Sequence, residues 1–370
     1  MNELAMNKLQ MSERDVLDKL LDTLRELPQV RAQPPHLERR KLVEDLQLDA
    51  EIHLGVAGRD LTLLIEVKKS VYPRDVRQIL WQINQFGALE RLNVPENTAV
   101  PLLAAESISP GAKELLRKEN IGYFDTGGSL FIPARGAFFY IDRPAPKTLE
   151  KAVRSLFKGK RSQVLHALLV HHGEWFGVKA LAALAEVSPA TTSETLSSLE
   201  RFDWLQTRGQ GPSKERSLVE PGMLLDEWSR QVPSRRQRTE RRYYVRSIDS
   251  EALMDRLTRL SDSHKTQCVI TQEAAAQRYA PFLTRISRVA CRLMPGRAAE
   301  EVLSELDARI VSEGANLNVI ETPSQGEFLF KERIEAIWLA SPVQVYLDLM
   351  RSGGRAKEMA EHLRRERIGF

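Results

Sequence analysis

The sequence predicts a multidomain chain of α/β and α+β class. A mixed sheet with flanking helices covers residues 1–143, three helices and a β-hairpin cover 150–230, and an α/β domain with a helical end covers 245–370. Three observations predict it. Residues 49–54 and 61–68 carry the two-residue alternation of strands. Residues 162–202 hold three short runs with apolar side chains at helical spacing. Between them, Asp142-Arg143-Pro144-Ala145-Pro146-Lys147 combines two prolines with charge and reads as a linker.

Taken in order, Ser12-Glu13-Arg14-Asp15 forms a capping box, and Val16, Leu17, Leu20, Leu21, Leu24 and Leu27 continue it as a first helix. Asp49 to Leu54 then reads as a strand, a turn follows at Gly58-Arg59-Asp60, and Leu61 to Lys68 reads as a second strand. In the second strand Leu63, Ile65 and Val67 face one side, while Glu66 and Lys68 face the other. Charged residues in an apolar strand cost desolvation unless they serve each other or a cation, and a solvated strand face is the plain alternative. Pro73 opens a helix whose stripe is Val76, Ile79, Leu80, Ile83 and Phe86, with Arg74, Gln78, Gln82 and Gln85 opposite. Ala99 to Ala105 and Ile121 to Phe124 are strands around the helix Ser109 to Glu119. Gly127-Gly128 breaks the chain before a strand at Ser129 to Ile132.

The central segment gives helices at Ser162–His171, Val178–Ala185 and Ala190–Phe202, the last two separated by a short break at Ser188-Pro189. In the third helix Leu196, Leu199 and Phe202 turn inward. Thr191, Thr192, Ser193, Glu194 and Ser197 offer short hydrogen-bonding groups to phosphates or base edges. Residues 206–219 read as two short strands joined by a Gly-rich basic loop, with Arg208, Lys214 and Arg216 as phosphate contacts. Downstream, Arg235 and Arg236 begin the densest basic segment, which either tracks a phosphate backbone or serves as a solvated linker. In the last domain, Val269-Ile270 starts a strand that runs into a small-residue helix. Ile286–Leu293 and Leu317–Ile320 are further strands around a helix at Ala298–Glu313. This domain shows no phosphate-cradling loop and no chemistry of its own, which leaves partner binding or oligomerisation.

The balance of 54 Lys+Arg against 50 Asp+Glu gives a net charge of only +4 and a pI near 9.0, so total charge argues little for nucleic acid. No apolar run approaches the roughly 20 residues of a membrane span, and residues 1–6 lack a signal-peptide core, so a cytoplasmic protein with no membrane partner is expected. Cys268 and Cys291 are the only cysteines and the seven histidines form no ligand spacing, which gives no zinc site and points to a reducing compartment.

The order of elements in residues 1–140, with Asp49, Glu66 and Lys68, resembles the PD-(D/E)xK nuclease superfamily. The resemblance implies a restriction-endonuclease-like sheet. Asp49 would match the first metal-binding acid, Glu66 the second, Lys68 the lysine of the Glu-x-Lys motif, and Gln78 or Gln82 the following glutamine. Leu48 stands where the family name puts a proline, and Glu51, on the face of Asp49, is an alternative first acid. The resemblance implies Mg²⁺ held by Asp49 and Glu66 and phosphodiester hydrolysis, or a domain of the same fold that only grips DNA. The three helices and basic hairpin resemble a winged helix-turn-helix domain. Thr271 to Ala276, Ala340 to Asp348 and Gly354 to Glu358, with the two domains before them, resemble AbiEi-type regulators and antitoxins of type IV toxin-antitoxin systems. The partners this implies are double-stranded DNA, a cognate toxin protein and a second copy of the chain. Two functions stand: a DNA-binding regulator, and a metal-dependent DNA endonuclease directed by its winged helix.

Overall fold

A computed structural model of the chain describes residues 12–37, 40–41, 47–86, 99–134, 137–144, 153–231, 240–283, 286–352 and 354–370. The chain divides into two compact units, Met1–Val153 with Ser198–Asp203, and Arg154–Ser197 with Trp204–Phe370.

The first unit opens with helix α1 (Glu13–Arg25). Ser12 and Asp15 cap it reciprocally: the Asp15 amide donates to Ser12 Oγ at 3.2 Å and the Ser12 amide to Asp15 Oδ2 at 2.8 Å. There follow β1 (Val30–Ala32), a small two-stranded pair β2 (Arg40–Lys41) and β3 (Gln47–Leu48), β4 (Ala50–Val56) and β5 (Arg59–Val71). Helix α2 (Pro73–Phe86), β6 (Ala99–Ile108), α3 (Pro110–Lys118), β7 (Gly122–Asp125), β8 (Leu130–Ala134) and β9 (Ala137–Ile141) complete it. One mixed sheet of order β1-β4-β5-β6-β7-β8-β9 results. Its β5, β6 and β7 run parallel and the remaining neighbours antiparallel.

The turn between β4 and β5 is tighter than expected. Ala57 and Gly58 alone make it, both at positive φ, and Arg59 already pairs with Val56. Two-residue hairpin turns need that left-handed backbone because its twist matches the strands. The predicted helix, strands and Pro73 start are otherwise borne out, and the edge strands β1 and β9 are additions. Each face of the sheet buries one core. Leu20 and Leu24 of α1 pack with Ile52, Leu63, Ile65 and Phe124, while Val76, Ile79, Ala112 and Leu116 of α2 and α3 pack with Leu103, Tyr123 and Phe131.

The second unit begins with the helices α4 (Gly159–Val170) and α5 (Val178–Leu184) and, through Ser197, helix α6 (Pro189–Arg201). Strands β10 (Phe176–Gly177), β11 (Leu205–Arg208) and β12 (Glu215–Leu218) form an antiparallel sheet in which β12 is central. Helix α7 (Pro221–Gln231), strand β13 (Glu240–Tyr244) and helix α8 (Ser250–Ser263) follow. They lead to β14 (Cys268–Thr271), α9 (Gln272–Tyr279), β15 (Val289–Leu293), α10 (Arg297–Glu305), β16 (Arg309–Ile310), β17 (Leu317–Glu321), β18 (Glu332–Ile334) and β19 (Ile337–Leu339). The seven strands β13 to β19 form one sheet of order β16-β13-β17-β15-β14-β19-β18, closed by α11 (Pro342–Ser352) and α12 (Arg355–Leu363). The helix expected at 298–313 stops at Glu305 because Asp307 adopts a positive φ, after which the chain forms an edge strand. The strand expected from Ile286 starts at Val289.

A buried polar network explains two of the tail motifs. Arg292 of β15, wholly enclosed, donates to Asp348 through Nε at 2.8 Å and Nη2 at 2.5 Å, and also contacts Glu327. Asp348 also accepts from Thr271 Oγ1 at 2.6 Å and from Gln344 Nε2 at 3.0 Å. Burial opposes the charge on both partners, yet each carboxylate and guanidinium outweighs it for the other, so Asp348 titrates below and Arg292 above its ordinary value. His166 of α4 pairs its Nε2 with Ser341 Oγ at 2.6 Å, fastening the helical segment to the start of α11. Burial, then the nearby Arg292, pulls His166 down to about 3, so it is neutral in the folded chain.

Candidate nucleic-acid interface and an acidic pair

In the first unit the β4–β5 register pairs Ala50 with Ile65, so one step on Asp49 faces Glu66, while Glu51 is paired with Leu64. Asp49 is therefore the acid beside Glu66. Its Oδ2 accepts the Val67 amide at 2.7 Å, which holds the carboxylate against β5. Glu66 is only 7% exposed, and Lys68 Nζ lies 2.6 Å from its Oε1. Burial raises the Glu66 carboxyl above its ordinary value; Lys68 works against that rise and Asp49 adds to it. Glu66 Oε2 is buried without a hydrogen-bond partner among the described residues. An acceptor left bare beside a second carboxylate fits a hard cation.

No group of three His, Cys, Asp or Glu side chains among the described residues is arranged to hold a metal ion. Asp49 and Glu66 would thus leave most of the shell to water, which Mg²⁺ accepts. Gln78 lines the cavity beside Lys68, together with Lys69, Ser70 and Asp75. The side chain of Gln82 lies outside the described residues.

In the second unit Ser188 caps α6, its Oγ accepting the Thr191 amide at 3.2 Å. Thr191 is half-buried at that cap, Ser193 is half-buried, and Glu194 and Ser197 are exposed. Thr192 is not available to DNA: it is fully buried, and its hydroxyl donates to Ser188 O at 3.1 Å. Its place one turn before Leu196 and two before Leu199 puts it on the inward stripe. Arg216 is a second correction. At 7% exposure on the central strand, between Phe176 and Thr207, it is enclosed by the sheet.

Arg208 is exposed, pairs with Glu215 at 2.7 Å and lies over the Trp175 ring at 4.4 Å. Lys214 is half-buried at the hairpin. Arg235 and Arg236 lie outside the described residues. The structure adds a residue that the periodicity did not single out. Arg161 of α4 reaches Glu194 Oε2 with Nη2 at 3.2 Å and Ser155 Oγ with Nη1 at 3.2 Å. The exposed Lys158 and Lys160 precede it, and the run Lys158-Gly159-Lys160-Arg161 at a helix start was the available signal.

A family model described as transcriptional regulator, AbiEi antitoxin, type IV TA system matches residues 217–368. This bears out the resemblance for the C-terminal region. No curated protein matches the chain. Among solved structures, the crystal structure of NolR from Sinorhizobium fredii is 22% identical over 24% of this chain and 95% of that one, with a TM-score of 0.18. No helix among the described residues is long and apolar enough to cross a membrane.

Proposed function

We propose that the protein is a DNA-binding transcriptional regulator of the AbiEi antitoxin type, acting on the operon of a type IV toxin-antitoxin pair. The observation that carries the reading is the helix α6 geometry: capped by Ser188, packed inward through Leu196 and Leu199, with Ser193, Glu194 and Ser197 left outward beside a three-stranded sheet. We read the three helices and this sheet as a winged helix, whose third helix would enter the major groove as the recognition helix of a helix-turn-helix does. The family match over residues 217–368 supports the regulatory role. A cognate toxin and a second copy of the chain are its expected partners, and the helical module and the C-terminal sheet serve as reader and partner-binding parts. Binding of the purified chain to the duplex upstream of its own gene, against random duplex at two salt concentrations, tests this. Equal affinity for both duplexes would reject it.

A second reading, a metal-dependent endonuclease, is favoured by the convergence of Asp49, Glu66 and Lys68 and by the bare Glu66 Oε2. Asp49 and Glu66 would hold Mg²⁺, which supplies a Lewis acid and a more acidic bound water. Lys68, freed from Glu66, would offset charge developing on the phosphate. Nicking of plasmid DNA with Mg²⁺ or Mn²⁺, absent in Glu66→Ala and Lys68→Ala, tests it. Intact plasmid with the wild-type chain would leave the domain as a DNA grip.

A further inference from the structure

The outward face of α6 carries an acid where DNA phosphates would repel one. Glu194 lies in the second turn of the helix, with its side chain 65% exposed, flanked by Ser193 and Ser197 on the same face. A carboxylate accepts hydrogen bonds and donates none, so a duplex rewards it only where an amino group points into the groove. Of the base edges, cytosine presents its N4 amino group there, whereas adenine sets an N7 acceptor beside its own amino group. Arg161, bonded to Glu194 at 3.2 Å and to Ser155 at 3.2 Å, holds the carboxylate from a neighbouring helix and offsets its charge.

Resting on the DNA-binding reading above, we propose that Glu194 is a specificity-determining residue that reads cytosine in the major groove, with Arg161 as its positioning residue. The two serines are less discriminating, because a hydroxyl both donates and accepts and serves several bases. Arg161 has guanidinium donors beyond its two partners, and Lys158 and Lys160 stand beside it. This corner of α4 therefore supplies the phosphate anchoring that the enclosed Arg216 does not.

The test selects sites from a randomised duplex library with the full-length wild type, E194A, E194Q and R161A, followed by competition binding. Circular dichroism verifies each fold; Glu194 is exposed enough for truncation to leave the core intact. Wild type selects cytosine at one position, about tenfold or more over other bases. E194A loses that preference while binding random duplex at least as well, since a repulsive charge is gone. E194Q moves the preference to adenine, which matches a bidentate amide. R161A keeps cytosine with weaker discrimination. An E194A profile identical to wild type overturns the assignment alone, and an R161A profile identical to wild type removes the positioning role. A wild type that binds no duplex at all overturns the DNA-binding reading with it.

Discussion

At the residue scale the buried charges and the buried imidazole carry the strongest consequences. Asp348→Ala leaves the Arg292 guanidinium enclosed with its main partner gone, a change that costs about 3–5 kcal/mol and is read as a lowered urea midpoint. His166, held neutral with a folded value near 3 against 6.5 ordinarily, has a different signature. Its folded value is depressed, so its contribution is fully present above about pH 6.5 and is lost as the pH falls, because the unfolded chain takes up the proton first. About 2 kcal/mol is gone by pH 5. Unfolding at pH 7 and pH 5 measures it, and His166→Gln removes that part of the slope. Glu66 and Lys68 were legible as a pair in the sequence because strand alternation alone puts them on one face. That Asp49 rather than Glu51 stands beside Glu66 depends on register between two strands, which a two-residue shift would reverse.

At the element scale, α6 and the hairpin separate what patterning shows from what packing decides. Ser188→Ala removes the cap of α6 and should cost about 1 kcal/mol, seen as a lower melting temperature with the same DNA preference where binding is saturating. For the hairpin, Arg208→Ala and Lys214→Ala should each flatten the slope of log K against log salt by at most about 0.9, as expected for one phosphate contact apiece. Arg216→Ala should instead lower the melting temperature and leave that slope unchanged, because its side chain lies within the sheet. The helix boundaries were readable from apolar spacing and from Ser188-Pro189. The third strand β10, two residues long, has no period to read, and its pairing with β12 is what encloses Arg216.

At the scale of the whole molecule, the helical segment and the C-terminal sheet share one compact unit, joined through His166 and Ser341. Destabilising the sheet should therefore loosen the helices. In amide hydrogen exchange, Asp348→Ala should speed exchange in α11 and also in α4, while β5 and β6 of the other unit keep wild-type rates. Faster exchange confined to α11 would show that the segment and the sheet unfold separately.

The sequence by itself determined the local elements, the mixed class, the charged pair on β5 and the three-helix segment, because alternation, helical spacing, caps and prolines act over a few residues. Only the tertiary structure decided which of those residues face outward. Thr192 and Arg216 look as polar as Ser197 and Arg208, yet a packed helix stripe and a strand flanked on both sides enclose the first two. The pairing of Arg161 with Glu194 and of Arg292 with Asp348 likewise spans tens of residues. Such contacts are set by how elements pack, a long-range outcome that no local period encodes.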